Sequence, residues 1–180
     1  MKRVLLICLC ITACASMAYG QAGSIGVFSN QDGTNCNIVD APGYVYVYIL
    51  HLNTTGALAS EFKLIRPAGW TYQFGSRDLD FLQIGFPDGA DGVAYSYITC
   101  QLGSFWLETL IYMADGSSPT CSNTVYITNV PSKTDIEVID CADVRHNVAG
   151  GAAIVNGDGS CPCDVPVEET TWGKVKSLYQ

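Results

Sequence analysis

Gly43 to Leu52 reads Gly-Tyr-Val-Tyr-Val-Tyr-Ile-Leu-His-Leu. Nearly every side chain in it is β-branched or aromatic, the types that pack well on a pleated surface. A turn signal precedes it (Asp40-Ala41-Pro42-Gly43) and another follows (Asn53-Thr54-Thr55-Gly56). Alternate side chains leave a strand on opposite faces. Val45, Val47, Ile49 and His51 therefore share one face, and Tyr44, Tyr46, Tyr48, Leu50 and Leu52 the other. A strand apolar on both faces is expected at the centre of a sheet, with a cover on each side.

The rest of the chain repeats this grammar. Further strands are expected at Gly23–Ser29, Glu61–Arg66, Trp70–Phe74, Leu79–Phe86, Val93–Cys100, Phe105–Met113, Val125–Val130 and Asp135–Ile139. Gly, Pro, Asn and Asp punctuate them at intervals of roughly 8–12 residues, the spacing of sandwiches and barrels. No helical period of apolar residues is sustained over residues 21–165. The expected fold is all-β, an immunoglobulin-like or cohesin-like β-sandwich of about eight or nine strands. Gly150, Gly151, Gly157 and Gly159 are expected to loosen the chain between Asn147 and Ser160. Residues 166–180 form a separate C-terminal tail. There Thr171 can cap a short helix whose Trp172, Val175, Leu178 and Tyr179 share one face.

The beginning of the chain reads as an export signal. Lys2 and Arg3 precede the short apolar run Val4–Ile11, and Ala18-Tyr19-Gly20 offers small residues for a cut before Gln21. The run is too short to span a bilayer, which takes about 20 apolar residues. An alternative reading takes Ile11-Thr12-Ala13-Cys14 as a lipobox, which would leave Cys14 as a lipid anchor. The conventional cut is preferred. It leaves 160 residues as one domain, 21–165, plus the tail. The whole chain carries a net charge of -8, and losing Lys2 and Arg3 makes that more negative. No Lys or Arg occurs from Val4 to Phe62. A nucleic-acid partner needs a cationic patch to meet phosphates, and none is visible.

Three of the 9 cysteines leave with the leader. Cys36, Cys100, Cys121, Cys141, Cys161 and Cys163 remain, an even set that reads as disulfides in an exported chain. Six cysteines allow about 15 pairings. The preferred set joins Cys100 to Cys121 and ties one member of Cys161-Pro162-Cys163 back to Cys141 or Cys36.

The ending Thr-Thr-Trp-Gly-Lys-Val-Lys-Ser-Leu-Tyr, with the Gly-Ser-Ile-Gly-Val-Phe opening and the late Cys-x-Cys, resembles small uncharacterised exported bacterial β-sandwich proteins. That resemblance spans the mature chain, and no activity comes with it. The pattern Gly56-Ala57-Leu58-Ala59-Ser60-Glu61-Phe62-Lys63-Leu64 is similar to a strand entry in cohesin-like sandwiches.

Several candidate chemistries can be weighed. Cys141, His146, Cys161 and Cys163 could hold tetrahedral zinc, but C-x4-H-x14-C-x-C is no standard finger and exported cysteines prefer to oxidise. Asp88, Asp91, Asp78, Asp80 and the Asn156-Gly157-Asp158-Gly159 turn carry calcium-type oxygens, yet Ile154 stands where an EF-hand loop needs its first carboxylate. These residues read better as turns. No cofactor is expected. For catalysis there are two histidines, His51 and His146, and the carboxylate pairs Asp78/Asp80 and Asp135/Glu137, with no nucleophile elbow and no metalloprotease motif. The most suggestive feature is aromatic: Tyr44, Tyr46, Tyr48, Tyr95, Tyr97 and Trp70 could stack on sugar rings or form a protein interface, because each joins apolar area to a polar handle. The expectation is a secreted or envelope-associated, non-catalytic binding, adhesion or structural module, with an extracellular protein or polysaccharide as partner. A carbohydrate-binding module with a Tyr/Trp platform and a secreted hydrolase are the alternatives.

Overall fold

The computed structural model describes residues 22–77 and 80–161. The leader with Cys14, Asp78, Cys163 and the expected helix of the tail lie outside the described residues. Ten strands follow in order: β1 (Ser24–Phe28), β2 (Asn37–Ile38), β3 (Gly43–Ile65), β4 (Trp70–Arg77), β5 (Phe81–Gly85), β6 (Val93–Ala114), β7 (Ser122–Thr128), β8 (Ile136–Ile139), β9 (Arg145–Gly150) and β10 (Ala152–Val155). Among the described residues, no helix is long and apolar enough to cross a membrane.

The frame is one antiparallel pair, β3 and β6, of 23 and 22 residues. Each passes through both layers of the sandwich. In one layer, the first half of β3 lies between β1 (Val27↔Ile49) and the second half of β6 (Val47↔Leu110), and β4 closes the far edge of β6 (Gly75↔Leu110). In the other, the second half of β3 lies between β8 (Ser60↔Val138) and the first half of β6 (Ser60↔Tyr95), with β5 on β6 and β9 on β8. A smaller unit, β7-β10-β2, continues from β3 at Lys63–Ile65. The two layers are joined at one edge by the parallel β1–β9 pair (Ser24↔Ala149, Ile25↔Gly150) and meet elsewhere through side chains. His51 and Phe105 of one layer pack on Tyr97 of the other, and Tyr95 hydrogen-bonds Glu108 across the gap.

The central stretch behaves as the alternation implies on one face only. Val45, Val47, Ile49 and His51 are buried. On the other face Leu50 is covered, but Tyr44 is 60% and Tyr46 48% exposed. Asn53-Thr54-Thr55-Gly56 does not end the strand as expected. Asn53 takes a positive φ of 54° and β3 continues through a bulge, matched in β6 by Gly103 at 77°. Of the glycines after Asn147, Gly159 has open space around it, while Gly150, Gly151 and Gly157 are not loose either. They allow β9 and β10 to pack: an added Cβ at Gly150 would stand 2.3 Å from the Ile127 carbonyl oxygen.

The expected Cys100–Cys121 bridge is wrong. Cys100 joins Cys141 (Cα–Cα 5.6 Å) and Cys121 joins Cys161 (5.7 Å). The cause is the merged β6: Cys100 sits at the β6 bulge, beside the turn that leads from β8 to β9, whereas Cys121 lies past the far end of β6, just before β7. Cys161 is thereby unavailable to Cys141 or Cys36. Cys36 is itself in a disulfide.

Candidate functional site

β5 is an edge strand with inverted polarity. Gln83 is paired with the inward-facing Tyr95, and its side-chain nitrogen lies 3.5 Å from a Glu108 carboxylate oxygen. Leu82 and Ile84 face outward and are 65% and 78% exposed. Registered rows across the sheet extend this surface. One runs Leu82, Ser96, Ala59, Ile139; the next runs Ile84, Ala94, Glu61, Glu137. Small residues at the centre and branched aliphatics at the β5 side leave a largely apolar face on β8-β3-β6-β5, with a shallow depression of about 110 Å³ over Ala59, Ala94 and Ile139. Its charged margin carries Glu61 and Glu137, with Lys133 and Arg145 paired to them. Exposed apolar area gathered on one face marks an interaction surface more often than scattered residues do. Sequence reasoning missed Leu82 and Ile84. The signal was present in Phe81-Leu82-Gln83-Ile84, where the polar residue falls on the face of the core.

The aromatic candidates divide. Tyr44 and Tyr46 line the opposite outer face with Met113 and Phe74, and Tyr48 is half-buried there. Tyr95, Tyr97 and Trp70 are a correction: all three lie in the core and cannot belong to a surface platform. Val93-Tyr95-Tyr97 is the inner face of β6, and the hydroxyls are accommodated. The Tyr97 oxygen is 2.5 Å from the Ser60 hydroxyl and 3.3 Å from His51 Nδ1, and Tyr95 donates to Glu108. Burial raises the pKa of both tyrosines above the usual phenol value. Trp70 packs on Tyr112 at 5.6 Å between ring centroids.

The zinc set is also corrected. Cys141 and Cys161 are spent in different disulfides, and His146 Nε2 lies 2.7 Å from Asp140 Oδ2. Asp140 is held below its ordinary pKa, first by His146 and then by the Val144 and Ala142 amides that it accepts. The pair thus fastens the 140–144 turn to β9. The other carboxylates have comparable structural partners. Asp88 accepts from Arg66 at 2.9 Å, Asp135 from Asn147 at 3.0 Å, and Asp158 from the Ser160 amide and hydroxyl. The Asn156 side chain links the Asp40 amide to the Ser118 carbonyl.

No family model matches the sequence, and a search of curated proteins found no match. Solved structures do match. A non-cellulosomal cohesin from the hyperthermophilic archaeon Archaeoglobus fulgidus is 13% identical, with a TM-score of 0.52 over 73% of this chain and 89% of that one. A type II cohesin, A11, from Bacteroides cellulosolvens is 9% identical, with a TM-score of 0.52 over 76% of this chain and 100% of that one. What is shared at such identities is the fold, and the described body of this chain is a β-sandwich of the cohesin type.

Proposed function

We propose that the protein is an exported, non-catalytic module that docks another folded protein on its β8-β3-β6-β5 face. The observation that carries this reading is the inverted polarity of β5, which sets Leu82 and Ile84 in water beside Ala59, Ala94 and Ser96. An apolar centre with charged margins has the anatomy of a protein interface. The chain's net charge of -8 favours a partner whose contact surface is ringed by Lys and Arg. The cohesin-type fold supports the reading, since both neighbours described above are cohesins by name. Disulfides at 100–141 and 121–161 and the leader-like start support a place outside the cytoplasm.

The test is affinity capture from the culture fluid and envelope fraction of the source organism on immobilised protein, with Ile84→Asp and Leu82→Asp compared against Tyr44→Ala and Tyr46→Ala. The expected result is a basic-surfaced protein retained by wild type and by both tyrosine variants, and lost from both aspartate variants. Retention by all four variants, or loss confined to the tyrosine pair, would sink the assignment.

A further inference from the structure

Where β6 crosses from one layer to the other it carries surplus residues. Between the pairs Ala57↔Gln101 and Ala59↔Ser96, β3 spends Leu58 alone while β6 spends Tyr97, Ile98, Thr99 and Cys100. Tyr97 turns into the core, while Ile98, Thr99 and Cys100 are exposed and are pinned by the Cys100–Cys141 bridge. Gly56 lies under the bridge, where an added Cβ would stand 3.0 Å from Cys141 Sγ. Beside this bulge a cleft of about 490 Å³ opens. Phe81, Ile98, Phe105 and Trp106 supply its apolar lining, and Asp80, Thr99 and Gln101 its polar lining.

The aromatic part is held in place. Phe105 meets Tyr97 edge-on at 5.1 Å and Phe81 at 6.0 Å, and the Trp106 indole N–H donates to Thr109 Oγ1 at 3.0 Å. The polar part is organised too. The Gln101 side-chain nitrogen donates to the Thr99 carbonyl at 3.1 Å and to its hydroxyl oxygen at 2.9 Å. That leaves the Gln101 side-chain carbonyl to accept from a ligand and the Thr99 hydroxyl to donate to one. Among the described residues no Lys or Arg lines the cleft, so an anionic ligand would find no cation there. A site that joins fixed aromatic area to a few converging polar groups suits a ligand with an apolar face and hydroxylated edges.

We propose that this cleft binds a neutral pyranose unit of an extracellular glycan. The site does not depend on the docking face, whose most exposed side chain, Ile84, does not line it. The test is an amide and indole NMR titration of the oxidised protein with cellohexaose, xylohexaose, mannohexaose and chitohexaose, and with hexagalacturonate as the anionic arm. Each is taken to about 10 mM, tenfold above a weak, millimolar dissociation constant. At least one neutral hexasaccharide should saturably shift the Trp106 indole and the Thr99 and Gln101 amides, while hexagalacturonate leaves them in place. Thr99→Ala/Gln101→Ala should weaken that binding by about tenfold or more, and Ile84→Asp should leave it unchanged. The proposal falls if none of the four neutral sugars moves the cleft signals, if the shifts centre on Tyr44 and Tyr46, if the Thr99/Gln101 variant binds like wild type, or if hexagalacturonate binds as well as the neutral sugars. Loss of protein docking in Ile84→Asp with sugar binding intact separates failure of one reading from failure of the other.

Discussion

His51 is wholly buried, with Nε2 2.7 Å from the Ala22 carbonyl oxygen and Nδ1 3.3 Å from the Tyr97 hydroxyl. A carbonyl can only accept, so the proton sits on Nε2 and Nδ1 accepts from Tyr97. Burial lowers the pKa of His51 below 6.5, and the bond to Ala22 offsets this in part. The unfolded chain therefore takes up a proton near 6.5 while the folded chain does not. The contribution of this residue is fully present above that pH and is lost as pH falls below it, by at most about 1.4 kcal/mol per pH unit. Glu108 has the opposite sign. Burial raises its pKa above 4.5 against the pull of Tyr95, so its ionisation destabilises the fold as pH rises from 4.5. Urea unfolding of wild type and His51→Gln between about pH 5 and about pH 7.5 separates the two. The variant should be about 1–3 kcal/mol less stable at neutral pH, and the gap should narrow as the medium is acidified. Parallel stability curves would show that the imidazole does not titrate with unfolding. In Glu108→Gln the difference from wild type should move in favour of the variant as pH rises.

Strand alternation told the inner faces correctly because burial and period coincide there: Val45, Val47 and Ile49 are interior as their spacing implies. It failed where local chemistry has two meanings. A residue with positive φ serves a hairpin turn and a β-bulge equally well, so Asn53 and Gly103 read as strand ends. Only their near-opposition across β3 and β6 makes them a bulge within a long ribbon. The same ambiguity concealed β9 and β10, whose glycines suggested slack chain. Those glycines are required by contact. Gly151 lies against Gly26, an added Cβ standing 3.1 Å from its Cα, and Gly150 lies against the Ile127 backbone. The β5 surface was half legible, since a strand was expected at Leu79–Phe86 but no facing was assigned to Leu82 and Ile84. Gly150→Ala should cost about 1–3 kcal/mol or more, because the obstruction is main chain and cannot rotate away. Gly159→Ala has nothing within 4 Å of the new Cβ and should stay within about 0.5 kcal/mol of wild type. Thermal unfolding of the pair decides the matter: equal melting temperatures would mean that β9 and β10 do not pack at Gly150 in solution.

The sandwich is cross-linked at its periphery rather than between neighbouring core strands. Cys100–Cys141 clasps the β6 bulge to the turn before β9, and Cys121–Cys161 clasps the start of β7 to the chain beyond β10. The bridges close sequence separations of 41 and 40 residues. In the chain-entropy picture each then restricts the unfolded state by about 4 kcal/mol, and removing one costs about 2–5 kcal/mol in practice. The paired variant Cys100→Ser/Cys141→Ser should lose stability in that range and should also lose saccharide binding, since the bulge that carries Thr99 and Gln101 is no longer held. Cys121→Ser/Cys161→Ser should lose comparable stability and keep the cleft. Cys36 is bonded as well, and after a cut before Gln21 the one mature cysteine left over is Cys163. If the chain is cut there, non-reducing peptide mapping of the purified protein should return 100–141, 121–161 and 36–163, with an intact mass six hydrogens below the reduced chain. A Cys36 peptide joined to Cys8, Cys10 or Cys14 would mean that the leader stays on. Free thiols at Cys100 and Cys141 would remove the clasp on which the cleft is built.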